Sequence, residues 1–226
     1  MPIEILENRI APAAILVVNT ADSGQGSLRD AINAANSNGD NILFANGLHG
    51  TIALKSPLPT ISTSMTIGGT TKYSITIDGR NTNQIFSIFS PISPIDVNLI
   101  GMTLTRGSSS GGGGALYVSD YTGIVGISGC VFSKNQAPGG PGLTNGLGLG
   151  GAIDLQVGTL EITKSIISGN VAVGSPGGFI SPNGGNAAGG GIYVAHGTTL
   201  LVSNTIISAN KAQGGNGFTG ASTGGS

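Results

Sequence analysis

Cysteine occurs once among the 226 residues, at position 130, so no intrachain disulfide forms and no Cys/His spacing is available to hold zinc. Charge is nearly as scarce. Nine Lys and Arg stand against ten Asp and Glu, and only 8% of positions are charged, where globular chains average about 25%. Nine scattered basic residues draw no cationic stripe, which excludes a nucleic-acid partner held through counterion release. Long apolar runs are missing too. The stretch AILVV at positions 14–18 falls far short of the ~18 residues of a membrane helix. Glu4 and Glu7 ahead of it carry the wrong sign for the basic start of a secretory signal.

Glycine is what the chain has in excess. With 41 Gly and 10 Pro, close to a quarter of the sequence is of a kind that marks disorder when the remainder is polar. Here 38% of residues are apolar and the mean hydropathy is +0.25, enough Val, Ile and Leu to offset chain entropy by burial. Glycine must therefore punctuate a packed structure. The length suits one domain or a linear stack of repeats, not two independent domains.

Self-comparison finds the stack. GGALYV at 113–118, GGAIDL at 150–155 and GGGIYV at 189–194 align, 37 and then 39 residues apart. Each is followed by a second apolar block: CVFSKN at 130–135, SIISGN at 165–170 and TIISAN at 205–210. Between the blocks lie alternating stretches such as TLEITK and TLLVSN, which have the period of a strand. LIGMTLTRG at 99–107 aligns with the second block, Gly101 on Gly129 and Leu104 on Phe132. Short strands repeated without helical crossovers close a parallel sheet only by coiling, each unit returning above its start. The spacing thus predicts an all-β, right-handed parallel β-helix of six to eight rungs, with the hand set by the preference of parallel connections. Leu116, Ile153 and Ile192 should form one apolar column, and Phe132, Ile167 and Ile207 another. Asn135, Asn170 and Asn210 recur at one turn, where stacked amides bond along a ladder. The Gly- and Pro-rich insertions at 136–148 and 171–188 leave from that turn and should project from one side as flexible loops.

Three regions follow: 1–16 as an amino-terminal export-like or flexible segment, 17–40 as a cap with a short helix, and 41–226 as β-helix. The helix is predicted from GSLRDAINAAN at 26–36, with Ser27 as N-cap, Asp30 three residues on, and Leu28, Ile32 and Ala35 on one face. No comparable cap follows Asn210, so the polypeptide is expected to continue, or a partner to make end-to-end contact with an uncapped carboxy-terminal rung.

Several residues of this sequence then resemble a known group. VVNTADSGQGSLRDAINAAN, ITIDG at 75–79 and LIGMTLTRG look like the amino-terminal portion of bacterial parallel β-helix surface proteins. The GGA-aliphatic and Phe-x-x-Asn pairs are similar to the repeats of polymorphic outer-membrane proteins, a family of autotransported adhesins. GGALYV with FSKN fits that repeat fully, whereas Ile167 and Ile207 stand where the family has Phe, and Gly191 replaces Ala. LENRIAPA at 6–13 looks like a short element of large exported proteins. The resemblance implies export and display at the cell surface, in the outer membrane or outside the cell, as an adhesin-like or structural module whose partners are host or environmental glycans or proteins.

Candidate chemistry is thin. Glycoside hydrolysis needs two carboxylates about 5 to 9.5 Å apart, and the acids after residue 40, Asp78, Asp96, Asp120, Asp154 and Glu161, are isolated in sequence. No catalytic residue, cofactor or metal ligand is assigned; the alternative is a pectate-lyase-like enzyme, degenerate or lacking its catalytic rungs. Asp78 reads as a turn former before Gly79, Cys130 as a small packed residue, and the Gly146, Gly148, Gly151 spacing as a chance match to a dinucleotide motif. One surface is a candidate for glycan contact. Tyr117, Asp154 and Tyr193 take the outward position on successive first strands, so two rings would flank a carboxylate at ~4.8 Å spacing.

Overall fold

The computed structural model describes residues 14–69, 75–119, 122–140, 146–178 and 182–218. LENRIAPA and Asp120 fall outside them. Among the described residues every strand pairing is parallel, as a coil of rungs requires. Ala14–Val17, Asn41–Phe44, Met65–Gly68, Ile95–Ile100, Thr122–Ser128, Thr159–Thr163 and Thr199–Ser203 lie side by side as a seven-stranded wall. A six-stranded wall stacks Gly50–Ala53, Ile75–Asp78, Thr103–Thr105, Val131–Ser133, Ile166–Ser168 and Ile206–Ser208. A four-stranded wall stacks Phe86–Phe89, Leu116–Ser119, Ile153–Leu155 and Ile192–Val194. The fold is thus an all-β parallel β-helix.

Both expected columns exist. Ile153 pairs in register with Leu116 and Ile192, and Ile167 with Phe132 and Ile207. Alternation sends these side chains inward, and Leu104, Leu116, Phe132, Ile153 and Ile167 are buried in one continuous core. The β-helix starts earlier than the expected boundary at 41. Ala14–Val17 already pairs with Asn41–Phe44, and the helix, Leu28–Asn38, is inserted between these two strands rather than placed ahead of the solenoid. Its apolar face of Leu28, Ala31, Ile32 and Ala35 is buried in the core. Ser27 Oγ accepts from the Asp30 N–H at 3.2 Å, and Gly39 closes the helix in the left-handed region, its N–H bonded to the Ala35 carbonyl. Arg29 pins the helix by donating to Asp22 Oδ1 at 2.9 Å and to the carbonyls of Ser56 and Pro57.

Four successive rungs turn two sharp corners each. Gly101, Gly129, Lys164 and Asn204 hold the first, and Arg106, Lys134, Gly169 and Ala209 the second, all with φ between +48° and +72°. Two polar ladders follow these corners. After the first, the Cys130 N–H donates to Ser165 Oγ at 3.1 Å and the Ser165 N–H to Thr205 Oγ1 at 3.3 Å. After the second, Asn135 Nδ2 donates to Asn170 Oδ1 at 3.0 Å and Asn170 Nδ2 to Asn210 Oδ1 at 2.9 Å, so the asparagines form the expected ladder. A non-glycine residue at a left-handed corner costs about 1 to 2 kcal/mol, partly offset because glycine has more freedom to lose on folding. Lys134→Gly, which makes this corner match Gly169, should therefore raise stability by roughly 0.5 to 1 kcal/mol. A urea midpoint that falls instead would show that the lysine contributes something the corner geometry does not reveal.

The Gly-Gly signature has two separate causes. Gly113, Gly150 and Gly189 take φ near +60°, and a Cβ there would overlap the carbonyl oxygen three residues on. The second glycines, Gly114, Gly151 and Gly190, are crossed by the backbone of the short strands Gln136–Pro138, Val171–Val173 and Lys211–Gln213, which themselves stack as a small sheet. The insertions beyond that sheet are not independent flexible loops. Their described residues lie on one another through backbone hydrogen bonds, Ser175 N–H to the Gly146 carbonyl at 3.0 Å and Gly215 N–H to the Gly185 carbonyl at 2.8 Å, while Gly185 N–H to the Ser175 carbonyl at 2.7 Å closes the middle insertion on itself. A Cβ on Gly185 or Gly215 would strike a neighbouring loop's backbone, and one on Gly146 would strike Gly140 in its own loop, so glycine serves close packing here.

Candidate functional site

On the four-stranded wall, alternation places Leu116, Val118, Ile153 and Leu155 inward, leaving Tyr117, Asp154 and Tyr193 on the outer face. Register brings the three side by side, with Asp154 paired to both tyrosines. Their exposure differs from the expectation. The rings are half-buried, and Asp154 has no accessible surface. The covering element is a strap of backbone at 111–113 that crosses the outer face, with Gly112 at φ +105° and Gly113 at φ +60°. A Cβ on Gly112 would overlap Asp154 Oδ2, and one on Gly113 would lie 3.1 Å from Asp154 Cβ. Gln84 Nε2 fastens the strap by donating to the carbonyls of Gly112 and Gly113, both at 2.9 Å, and the Gly113 N–H donates to the Leu149 carbonyl at 2.9 Å.

Under the strap, Asp154 Oδ1 accepts from Gln156 Nε2 at 2.7 Å, while Oδ2 is buried with no hydrogen-bond partner among the described residues. Burial pushes the carboxyl up to about 6, against the opposing pull of the Gln156 hydrogen bond. Beside it a recess of about 220 Å³ is lined by Gln84, Ser109, Gly111, Gly112 and Tyr117. The reachable surface is therefore an aromatic ring, an amide, a hydroxyl and backbone, with the carboxylate sealed behind. Gln84, Ser109 and the strap were not anticipated from sequence. The signal was the run GGGG at 111–114, which permits backbone to lie directly on a side chain.

The other acids are dispersed. Asp78 is buried and accepts from the Arg80 N–H at 2.8 Å, as a turn former does, and from Arg106 Nε at 2.9 Å; Arg106 Nη2 closes a two-pronged ion pair. Burial raises its carboxyl, but the bonds from Arg106 and the Arg80 N–H outweigh that and hold it below the usual range. Asp96 Oδ1 accepts from the Ile124 N–H at 2.8 Å. Glu161 lies on the seven-stranded wall, away from Asp154 on the four-stranded one. Among the described residues no three His, Cys, Asp or Glu side chains come together as a metal site. Cys130 is buried, its thiol pushed up to about 11 by burial, which leaves it a packed and unreactive side chain.

No family model and no curated protein matches the chain. The likeness to polymorphic outer-membrane repeats therefore stands on the motifs alone. Chemically, the Tyr117 recess is suited to stacking on an apolar sugar or side-chain face and to hydrogen bonding from Gln84 and Ser109. No helix of the described residues is long and apolar enough to cross a membrane.

Proposed function

We propose that this chain is a non-enzymatic β-helix module displayed on a cell surface or secreted, adhesin-like or structural, that offers its stacked Gly-rich loops and the Tyr117 face to glycans or proteins. The observation that supports this reading most is the loop ridge. Successive insertions leave the same corner, after the Asn ladder, and their described residues lie on one another through backbone hydrogen bonds. Such a surface binds through many weak hydrogen bonds and shape, as suits polysaccharide or an extended protein partner.

Two measurements test it. Fractionated cells probed with an antibody should show the protein in the envelope or medium, and a purely cytosolic location would remove the display role. In a glycan array, binding should weaken at least tenfold when Tyr117→Ala and Tyr193→Ala are combined, since an aromatic platform contributes about 1 to 2 kcal/mol or more. Binding that survives the double substitution would move the contact off this wall. Steady release of reducing or unsaturated ends from a polysaccharide panel would replace the binding role by a catalytic one.

A further inference from the structure

A net charge of minus one hides a strong polarity in how the charges are placed. Each of four successive strands of the six-stranded wall is followed within two residues by a base: Lys55 after Gly50–Ala53, Arg80 after Ile75–Asp78, Arg106 after Thr103–Thr105 and Lys134 after Val131–Ser133. Lys164 stands at the corner ahead of the next strand, Ile166–Ser168. All five are exposed, and they are five of the seven Lys and Arg among the described residues. Scattered in sequence, they are gathered by the coil, because one rung adds only ~4.8 Å along the stack.

The acids lie elsewhere. Asp40, Asp96 and Glu161 stand in or next to strands of the seven-stranded wall, and Asp22 is bound to Arg29. Asp78, the one acid on the six-stranded wall among the described residues, is buried and spent on Arg106. Five bases against that one carboxylate leave the wall four positive. Between the bases the outer face is a field of hydroxyls: Thr76, Thr103, Thr105, Ser133 and Ser168 point out where Ile77, Leu104, Phe132 and Ile167 point in. No aromatic side chain faces outward on this wall among the described residues.

We propose that this wall is a docking surface for a carboxylated polysaccharide, a polyuronate chain lying along the stack with its carboxylates on the basic corners and its hydroxyls on the Thr and Ser face. Arg106 already holds one carboxylate, that of Asp78, in a two-pronged pair. Lys55, Arg80, Lys134 and Lys164 offer their donors to solvent, with no ion pair among the described residues. A single-stranded nucleic acid would supply the anions, but it needs aromatic platforms for its bases, which the wall lacks. The surface is separate from the Tyr117 face on the four-stranded wall and does not depend on it.

Calcium-free sodium alginate serves as the probe. It should bind the 226-residue protein and lose about tenfold or more in affinity between about 50 and 200 mM NaCl, as a contact of several charges does, while neutral dextran should not bind. Lys134→Gly combined with Lys164→Gly removes two charges at corners whose φ of +57° and +50° suit glycine. A urea midpoint no lower than that of the wild type checks that the fold is kept. The glycine pair should weaken alginate binding about tenfold and flatten its salt dependence. Glu161→Gln on the seven-stranded wall, and Tyr117→Ala with Tyr193→Ala, should leave it unchanged. No binding at about 1 mM uronate, binding that the glycine pair leaves intact, an equal loss in the tyrosine pair, or tighter binding of poly(dT) or of dextran sulfate at matched charge density would each overturn the proposal.

Discussion

Asp154→Asn is expected to stabilise the protein by up to about 3 kcal/mol at pH 8 and to change little at pH 4. The reason is the strap. Asp154 has no accessible surface and one carboxylate oxygen without a partner, and burial pushes its carboxyl from 3.8 to about 6. Between those values the folded chain holds a proton that the unfolded chain has released, so stability falls as pH rises through this window and the deficit persists above it. Two units at about 1.4 kcal/mol each set the ceiling. Asparagine is neutral throughout, and its Oδ1 keeps the Gln156 hydrogen bond. Urea unfolding at pH 4, 5, 6, 7 and 8 should therefore show a decline in the wild type that the variant lacks. Parallel pH profiles would mean that Asp154 ionises without penalty and that the strap is open in solution. Asp78 does not blur this comparison. Its carboxyl is held below the usual range, so the stability it contributes is lost only as pH falls below about 4.

The contrast between these two acids marks what the sequence reveals and what it hides. Spacing made the columns legible: once Ile153 sits over Ile192, like residues at like positions must stack, and Asn135, Asn170 and Asn210 fall into a ladder by the same translation. Asp78 was legible because its turn partner, the Arg80 N–H, is local. Asp154 was not. Alternation placed it outward correctly, but its burial comes from the backbone of residues 111–113, and a strap without side chains leaves no apolar pattern to read. The first strand was hidden for a related reason. Ala14–Val17 pairs with Asn41–Phe44 across an inserted helix, an interruption that breaks the period by which the other rungs announce themselves. The loops looked flexible by composition, and only their mutual contacts show that the glycines pack.

Asn170→Ala should be the most damaging single truncation in the ladder, at about 4 kcal/mol. The Asn170 carboxamide uses its whole bonding capacity. Oδ1 accepts from Asn135 N and Asn135 Nδ2, both at 3.0 Å, and Nδ2 donates to the Phe132 carbonyl at 3.0 Å and to Asn210 Oδ1 at 2.9 Å. Alanine strands donors and acceptors in a site with no accessible surface, and each such group costs about 1 to 3 kcal/mol when water does not reach it. Asn210 is half-exposed and ends the described ladder, so Asn210→Ala should cost only about 1 kcal/mol, because water replaces what is lost. The break should also stay local. Rungs of a solenoid contact only their neighbours, so amides at 199–213 should exchange faster in Asn170→Ala while those at 95–105 keep their protection. Equal costs for Asn170→Ala and Asn210→Ala would mean that the asparagines act as separate turn residues, since only a ladder makes the inner member worth more than the outer.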